Sequence, residues 1–411
     1  MTSLRVFKTL RRAEYFELMG LFFIQGAAMA AWFVPLGTVL DAHGMHHLKA
    51  LAFATSALAA FVSPLMFGAM ADRHASPVKV LRGLSVATAI AMALASAAIH
   101  FKLNPWLVLA LIQLHAFCTA PNWSIATTIV FARLKDAKKE FGPVRAMGTI
   151  GWMAGCWLVS ALGADTSALA GFAGAVVWVL VAGFTFCLPE LETPPAAAHL
   201  TWHERLGLDA LTLLRNPEHR VVFITTALYA IPIAAFYPYS PAHMQELGLT
   251  HTSAWMSLGQ ITEIIGMFTV GVLLLKWRLK WIFALGLAAG VVRFALSAVN
   301  GKYWLLAGVS LHGVSFVYFF ITGQIYLEQR VEAAWRARAQ ALMTLMNNGV
   351  GNLIGYLGMG VWFTACGRPQ GANWTLFWAG VSLVVAVVLV FFWVAYPKTS
   401  DGLLRSRHAR E

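Results

Sequence analysis

Gln260 and Glu263 lie three residues apart inside a long apolar stretch, so a helix places both on one face while Thr262 falls on another. Glu263 is the acid that sits near the middle of such a stretch; the other acids lie in tails, loops or stretch ends. Arg293, in the next stretch, is the matching base. Counted from the ends of their stretches richer in basic residues, both are about 13 residues in, which is roughly 20 Å of helix. Ionisable groups at membrane depth are costly and face a cavity or one another. Two readings therefore stand: a buried ion pair, or a carboxylate that exchanges a proton or touches a solute. A second constellation starts at Arg145, with Thr149 four residues on and Trp152 seven on. A cation, a hydroxyl and an indole on one helix face read either as half of a site for a polar ring compound or as an interfacial positive-inside arginine beside an ordinary aromatic. His312 and His115 also lie at depth, as single histidines that either bond a neighbouring helix or carry protons.

The elements that must position these residues are helices crossing a bilayer. Apolar residues make up 59% of the chain and charged ones 12%, with mean hydropathy +0.67. Twelve stretches approach the roughly 20 apolar residues that a helical span needs. They run near 15–40, 48–71, 78–100, 105–133, 145–163, 168–188, 220–246, 252–275, 280–299, 303–328, 338–364 and 373–396. Of the 30 Lys and Arg, the odd gaps hold Lys49, Lys102, Lys302 and Arg368, and Arg293 lies within a span. All others fall in the two tails, in the even gaps or at their edges. The positive-inside rule places both termini in the cytoplasm. The net charge of +12 is thus orientation and anionic-lipid contact, and no nucleic-acid partner is expected. The four cysteines show neither disulfide nor metal spacing, and the N-terminus does not resemble a cleaved signal peptide.

The longest hydrophilic gap, 189–219, divides the spans six and six. The expected organisation is an N-terminal half (1–188), a cytoplasmic linker (189–219), a C-terminal half (220–398) and a tail (399–411). Within the linker, 202–214 has apolar residues at helical spacing and reads as an amphipathic surface helix. Two such halves suggest a transporter with solute at the midplane between them. The glycines Gly349, Gly351, Gly355 and Gly360 read as helix-packing positions in span eleven.

Gly68, Asp72 and Arg73 form a G-x-x-x-D-R signature in the second gap that resembles the cytoplasmic loop motif of the major facilitator superfamily. Gly148, Gly151 and Gly155 lack the proline that follows them in proton antiporters, which favours import. At Arg145–Trp152, Leu206–Leu214, Gln260–Glu263, Arg293–Leu296, His312–Phe320 and Arg336–Gly351 the chain resembles the nucleoside:proton symporter family. The resemblance implies an all-α fold of twelve transmembrane helices in two six-helix halves, working by alternating access. It implies a solute site matching Arg145, Thr149, Gln260, Glu263 and Phe316, with Trp152 where phenylalanine is expected and His312 where tyrosine is expected. Ala234 and Tyr237 stand in place of polar amides, and Val317 in place of an aspartate. With that acid gone, Glu263 is left as the proton-coupling candidate, and Gly68, Asp72, Arg73 and Arg293 as structural or gating residues.

The expectation is a monomeric, proton-coupled importer of nucleosides in the bacterial inner membrane, in contact with lipid. It needs no cofactor besides the proton and no metal, and it is not an enzyme: no span shows paired catalytic acids, a His-x-x-x-His or a Ser/His pair at matching depth. A carrier of another small polar solute such as a sugar derivative, and a drug or metabolite exporter, are the alternatives.

Overall fold

The computed structural model describes residues 13–71, 76–134, 137–191, 201–206, 208–368 and 371–397. Each of the twelve apolar stretches is helical, several of them in pieces. The first runs as Ala13–Phe33 and Leu36–Ala42, broken at Pro35, whose ring removes a donor and clashes with the preceding turn. Helices Lys49–Ala71, Pro77–His100, Pro105–Arg133, Ala137–Ala161 and Leu169–Phe184 follow. The seventh stretch, rich in proline, is Pro217–Ile233 then Phe236–Glu246, and the eighth is Thr252–Met256 then Leu258–Lys276. Leu279–Ala298 is continuous. The tenth stretch (Lys302–Arg330) carries a π-helical segment at Val317–Ile321, and the eleventh (Ala333–Ala365) another at Leu345–Gly351. Trp374–Ala395 is the last, reached through a two-stranded antiparallel hairpin pairing Gly367 with Ala372 and Arg368 with Gly371. Among the described residues, seven of these segments are individually long and apolar enough to cross a membrane.

Side chains confirm the setting. Leu275, Val394, Phe268 and Val361 point outward while Trp178, Trp378 and Tyr229 are fully buried. Large apolar surface outside and aromatic surface inside suits a protein solvated by hydrocarbon.

The described contacts form two compact units, residues 1–200 with 237–257, and residues 201–236 with 258–411. In the first unit, glycines bring Ala13–Phe33 and Ala137–Ala161 into backbone contact. A Cβ on Gly26 would meet the Gly148 carbonyl, one on Gly151 the Phe23 carbonyl, and one on Gly155 the Ala27 carbonyl. Close approach of this kind replaces the hydrophobic drive that helices lack in lipid. In the second unit the same device joins spans eight and ten. Gly313 lies against the backbone of Glu263, Gly259 against His312, and Gly266 against Val317. Gly351 and Gly355 of span eleven pack on Ala227, Ala230, Ile231 and Ala234 of span seven, as their packing role requires.

The expected amphipathic helix over 202–214 is instead two pieces, Trp202–Arg205 and a 3-10 segment Leu208–Arg215. Asp209 bonds the amide of Ala210, 3.1 Å away, and such local bonds compete with the helical ladder. A capping box starts the first piece: the Thr201 amide donates to Glu204 (2.8 Å), which holds that carboxyl below its usual range. Arg338 ties this segment to span eleven through Asp209 (2.7 Å) and Glu204 (3.6 Å). Gly68 falls within helix Lys49–Ala71, whereas Asp72, Arg73, the linker residues 192–200 and the C-terminal tail lie outside the described residues.

Candidate functional site: two polar clusters within the helices

In the first unit, helix Ala137–Ala161 presents Arg145, Thr149 and Trp152 as the spacing required. The Arg145 guanidinium lies over the Trp123 ring, 4.3 Å from its centroid. Trp123 leans into space left by Gly148, where a Cβ would sit 2.6 Å from the indole. Glycine here therefore seats the ring that receives the cation, and the contact is worth about 0.5–2 kcal/mol depending on desolvation. Thr149 is buried. Trp152 belongs to an aromatic group with Phe33 (6.2 Å) and Tyr237 (5.9 Å), and Phe33 is 5.2 Å from Tyr237 and 5.1 Å from Phe53. Among the described residues, the buried Trp152 Nε1 has no hydrogen-bond partner, nor has either amide atom of the fully buried Gln25. Buried donors left open are rare and ask for an explanation.

In the second unit, Gln260 and Glu263 are both buried on helix Leu258–Lys276. Thr262, on another face, bonds the Ser310 carbonyl and fixes span eight to span ten. Arg293 is 1% exposed. Its Nη1 donates to His312 Nδ1 (2.8 Å) and to Ser315 Oγ (3.3 Å), and its guanidinium lies against the rings of Phe236 (4.3 Å) and Phe294 (4.5 Å). A guanidinium only donates, so Nδ1 of His312 accepts and its ring hydrogen sits on Nε2. The imidazole stacks on Phe236 (4.3 Å) and on Phe316 (5.8 Å). The π-helical segment opens at Val317, directly after Phe316. Such segments are frequent at functional sites because they re-aim side chains within a helix.

Arg293, His312 and Phe316 thus form one cluster with Glu263's helix packed against it through Gly313. Arg145 and Trp152 share a second, with Thr149 buried on the same helix. The sequence did not point to Trp123, Phe33, Phe236 or Ser315. Nothing in an aromatic residue among 59% apolar residues marks it as the partner of a cation. It also missed Glu218, read as a loop acid, which is buried and accepts from Tyr396 (2.7 Å) with Arg330 at 3.6 Å. The three departures from the family pattern have packing roles. Val317 fills against Gly266, Ala234 against Gly355, and Tyr237 joins the aromatic group.

Twelve apolar helical stretches with buried polar clusters define an all-α, membrane-embedded protein, and its solved neighbours give it the major facilitator fold. The solved structure described as nucleoside transporter NupG shares that fold, with a TM-score of 0.82 over 94% of this chain and 100% of that one at 24% identity. The peptide transporter POT in complex with sulfate aligns with a TM-score of 0.70 over 93% of this chain and 94% of that one at 14% identity. Residues 13–400 match the family model described as nucleoside H+ symporter, and the chain belongs to that family. Among curated relatives, the putative nucleoside transporter YegT of Escherichia coli (strain K12) is 31% identical over 94% of this chain and 95% of its own. The nucleoside permease NupG of the same strain is 26% identical over 90% and 93%, and its xanthosine permease 24% identical over the same shares.

Proposed function

We propose that this protein imports nucleosides together with protons across the bacterial inner membrane, with both termini cytoplasmic, and that it works as a monomer surrounded by lipid. The observation that carries the coupling is Glu263: a buried carboxylate in span eight, one helical turn from Gln260 and seated on Gly313 beside the Arg293–His312 pair. Protonating Glu263 removes a charge from an apolar interior, so a proton and a solute that both favour the same closed form help each other bind. By linkage the factor is reciprocal. Release of the proton inside resets the carrier.

Solute contacts fall to Arg145, Thr149 and Trp152 in one unit and to Gln260, Glu263, His312 and Phe316 in the other. Trp152 Nε1 offers an open donor to a base or sugar oxygen, and the aromatic faces suit a planar base. Arg293 positions His312 and does not itself contact solute. Gly68, Asp72 and Arg73 serve the cytoplasmic loop. Because Ala234 and Val317 are spent on packing, fewer hydrogen bonds reach the solute than the family pattern provides, and discrimination between hydroxyl patterns weakens accordingly. That observation favours a second reading in which the solute is another polar ring compound, such as a sugar derivative.

Uptake of a labelled nucleoside panel into proteoliposomes under an inward proton gradient tests both parts. Gradient-driven accumulation that Glu263→Gln loses, while the mutant keeps solute exchange without a gradient, is the expected result. Full accumulation by the mutant would remove Glu263 from coupling. Absence of nucleoside uptake by folded wild type, with uptake of a sugar derivative, would select the second reading.

A further inference from the structure

The core of the first unit gathers open polar atoms from four different helices. Gln25 of span one, Ser85 of span three, Asn122 of span four and Trp178 of span six are each fully buried. Among the described residues, both amide atoms of Gln25, the Ser85 hydroxyl, Asn122 Oδ1 and the Trp178 indole nitrogen have no hydrogen-bond partner. The Asn122 amide nitrogen donates to Thr88 Oγ1 (3.1 Å) and to the Cys118 carbonyl (3.0 Å). A carbonyl only accepts, which fixes the nitrogen on that side and leaves the oxygen as the open atom. Ser85 stands one turn from Thr88 on the same face of span three.

Contacts between the helices put these groups at one level. Phe22, Gln25 and Trp32 share a face of span one. Phe22 meets Trp123 (5.0 Å) and Trp32 meets His115 (5.1 Å), so Gln25, lying between them, faces span four near Asn122. On span six, Gly171 is filled against by Ser96 and Trp32, and Gly174 by Met92, Ala28 and Ala31. One turn further along that face is Trp178, which therefore stands level with Thr88 of span three and Gln25 of span one. Gly26, next to Gln25, abuts the Gly148 carbonyl and the Trp152 amide. The polar core thus lies behind the helix that bears Arg145, Thr149 and Trp152, on a neighbouring face of span one.

We infer that Gln25, Ser85, Asn122 and Trp178 form a site for about two ordered water molecules that tie spans one, three, four and six together. The open set mixes donors (the Gln25 amide and the Trp178 indole) with acceptors (the Gln25 and Asn122 oxygens) and a hydroxyl that does both. A cation there would meet amide and indole hydrogens, and an anion would meet two amide oxygens. Water donates and accepts, and at about three bonds each, two molecules satisfy the five atoms. Left dry, so many unpaired groups would take a large share of a fold's narrow margin.

The test is X-ray radiolysis of the full chain in detergent, with oxidation of each tryptophan read by mass spectrometry. Hydroxyl radicals born from a bound water oxidise the side chain beside it, even where bulk solvent does not reach. Trp178 should be oxidised at least tenfold faster than Trp378, which is equally buried but packed among the rings of Phe294, Trp374 and Phe377. Equal, slow oxidation of the two overturns the site, and this comparison needs neither solute nor a variant. Gln25→Leu, close in volume, should then slow Trp178 oxidation at least threefold and lower the melting temperature, because the waters lose two of their partners. Unchanged oxidation would strike Gln25 from the site. A raised melting temperature would show that the amide was dry, since an apolar group in place of an unpaired buried one stabilises.

Discussion

The polar clusters of the two units hold their buried cations on different partners. In the first, Arg145 rests on the face of Trp123, and Trp152 Nε1 and both amide atoms of Gln25 have no hydrogen-bond partner among the described residues. In the second, Arg293, His312 and Ser315 bond one another, and aromatic rings seal the group on two sides. Open donors hold free energy in reserve for a ligand, whereas a hydrogen-bonded network transmits a change at one member to the rest. The first arrangement suits recognition and the second suits coupling. Substitutions in the first unit should therefore move solute affinity at all pH values, and those in the second should move the pH dependence of transport.

The largest effects come from the glycines that hold both clusters in place. Gly151→Leu drives a side chain into the Phe23 backbone and should cost about 3 kcal/mol or more, read as loss of thermal stability in detergent. Gly313→Ala tests the counterpart against Glu263; a stable, active variant would show that spans eight and ten do not depend on this contact. Next, Arg293→Gln leaves His312 Nδ1 without its donor in a buried setting and should cost about 2–3 kcal/mol. Its uptake should change in pH profile, with KM at the optimum altered less. A pure KM effect would erase the proposed division between the units. Trp152→Phe removes the open indole donor and should weaken solute binding by about 1–1.5 kcal/mol, near tenfold in KM, with the pH profile unmoved. Arg145→Lys keeps the charge but loses the planar stack on Trp123, a change of about 0.5–1 kcal/mol, again in KM alone.

The smallest effect lies outside both clusters. The Thr201–Glu204 capping box depresses the Glu204 carboxyl in the folded state, so its contribution is present above the unfolded value, near 4.3 for glutamate, and fades as pH falls through the folded one. Amide exchange at Trp202–Arg205 should rise in that acidic window, and Glu204→Gln should flatten the dependence.

Much of this architecture was legible beforehand because hydrocarbon imposes a simple rule: a crossing segment must satisfy its own backbone, so apolar length marks each helix. The pairing of Arg145, Thr149 and Trp152 was readable for a similar reason, since spacing within one helix fixes which side chains share a face. The exceptions to the charge rule were less readable. Lys49, a basic residue in an odd gap, is buried against Asp41, and nothing local announces that partner eight residues away. Arg293 matched Glu263 in depth, and its bonds to His312 and Ser315 of span ten are partners that depth did not point to. Depth is a property of one helix, but a partner depends on how two helices are rotated.

The chain by itself therefore determined twelve apolar helical stretches, their likeness to the nucleoside H+ symporters and the residue types available at depth, because each follows from hydropathy or from intervals along one helix. Tertiary structure alone decided that Trp123 carries Arg145 and that Arg293 bonds His312. Those outcomes depend on which helices meet and how closely. That is settled by glycines whose role appears only when another backbone occupies the space a Cβ would have taken.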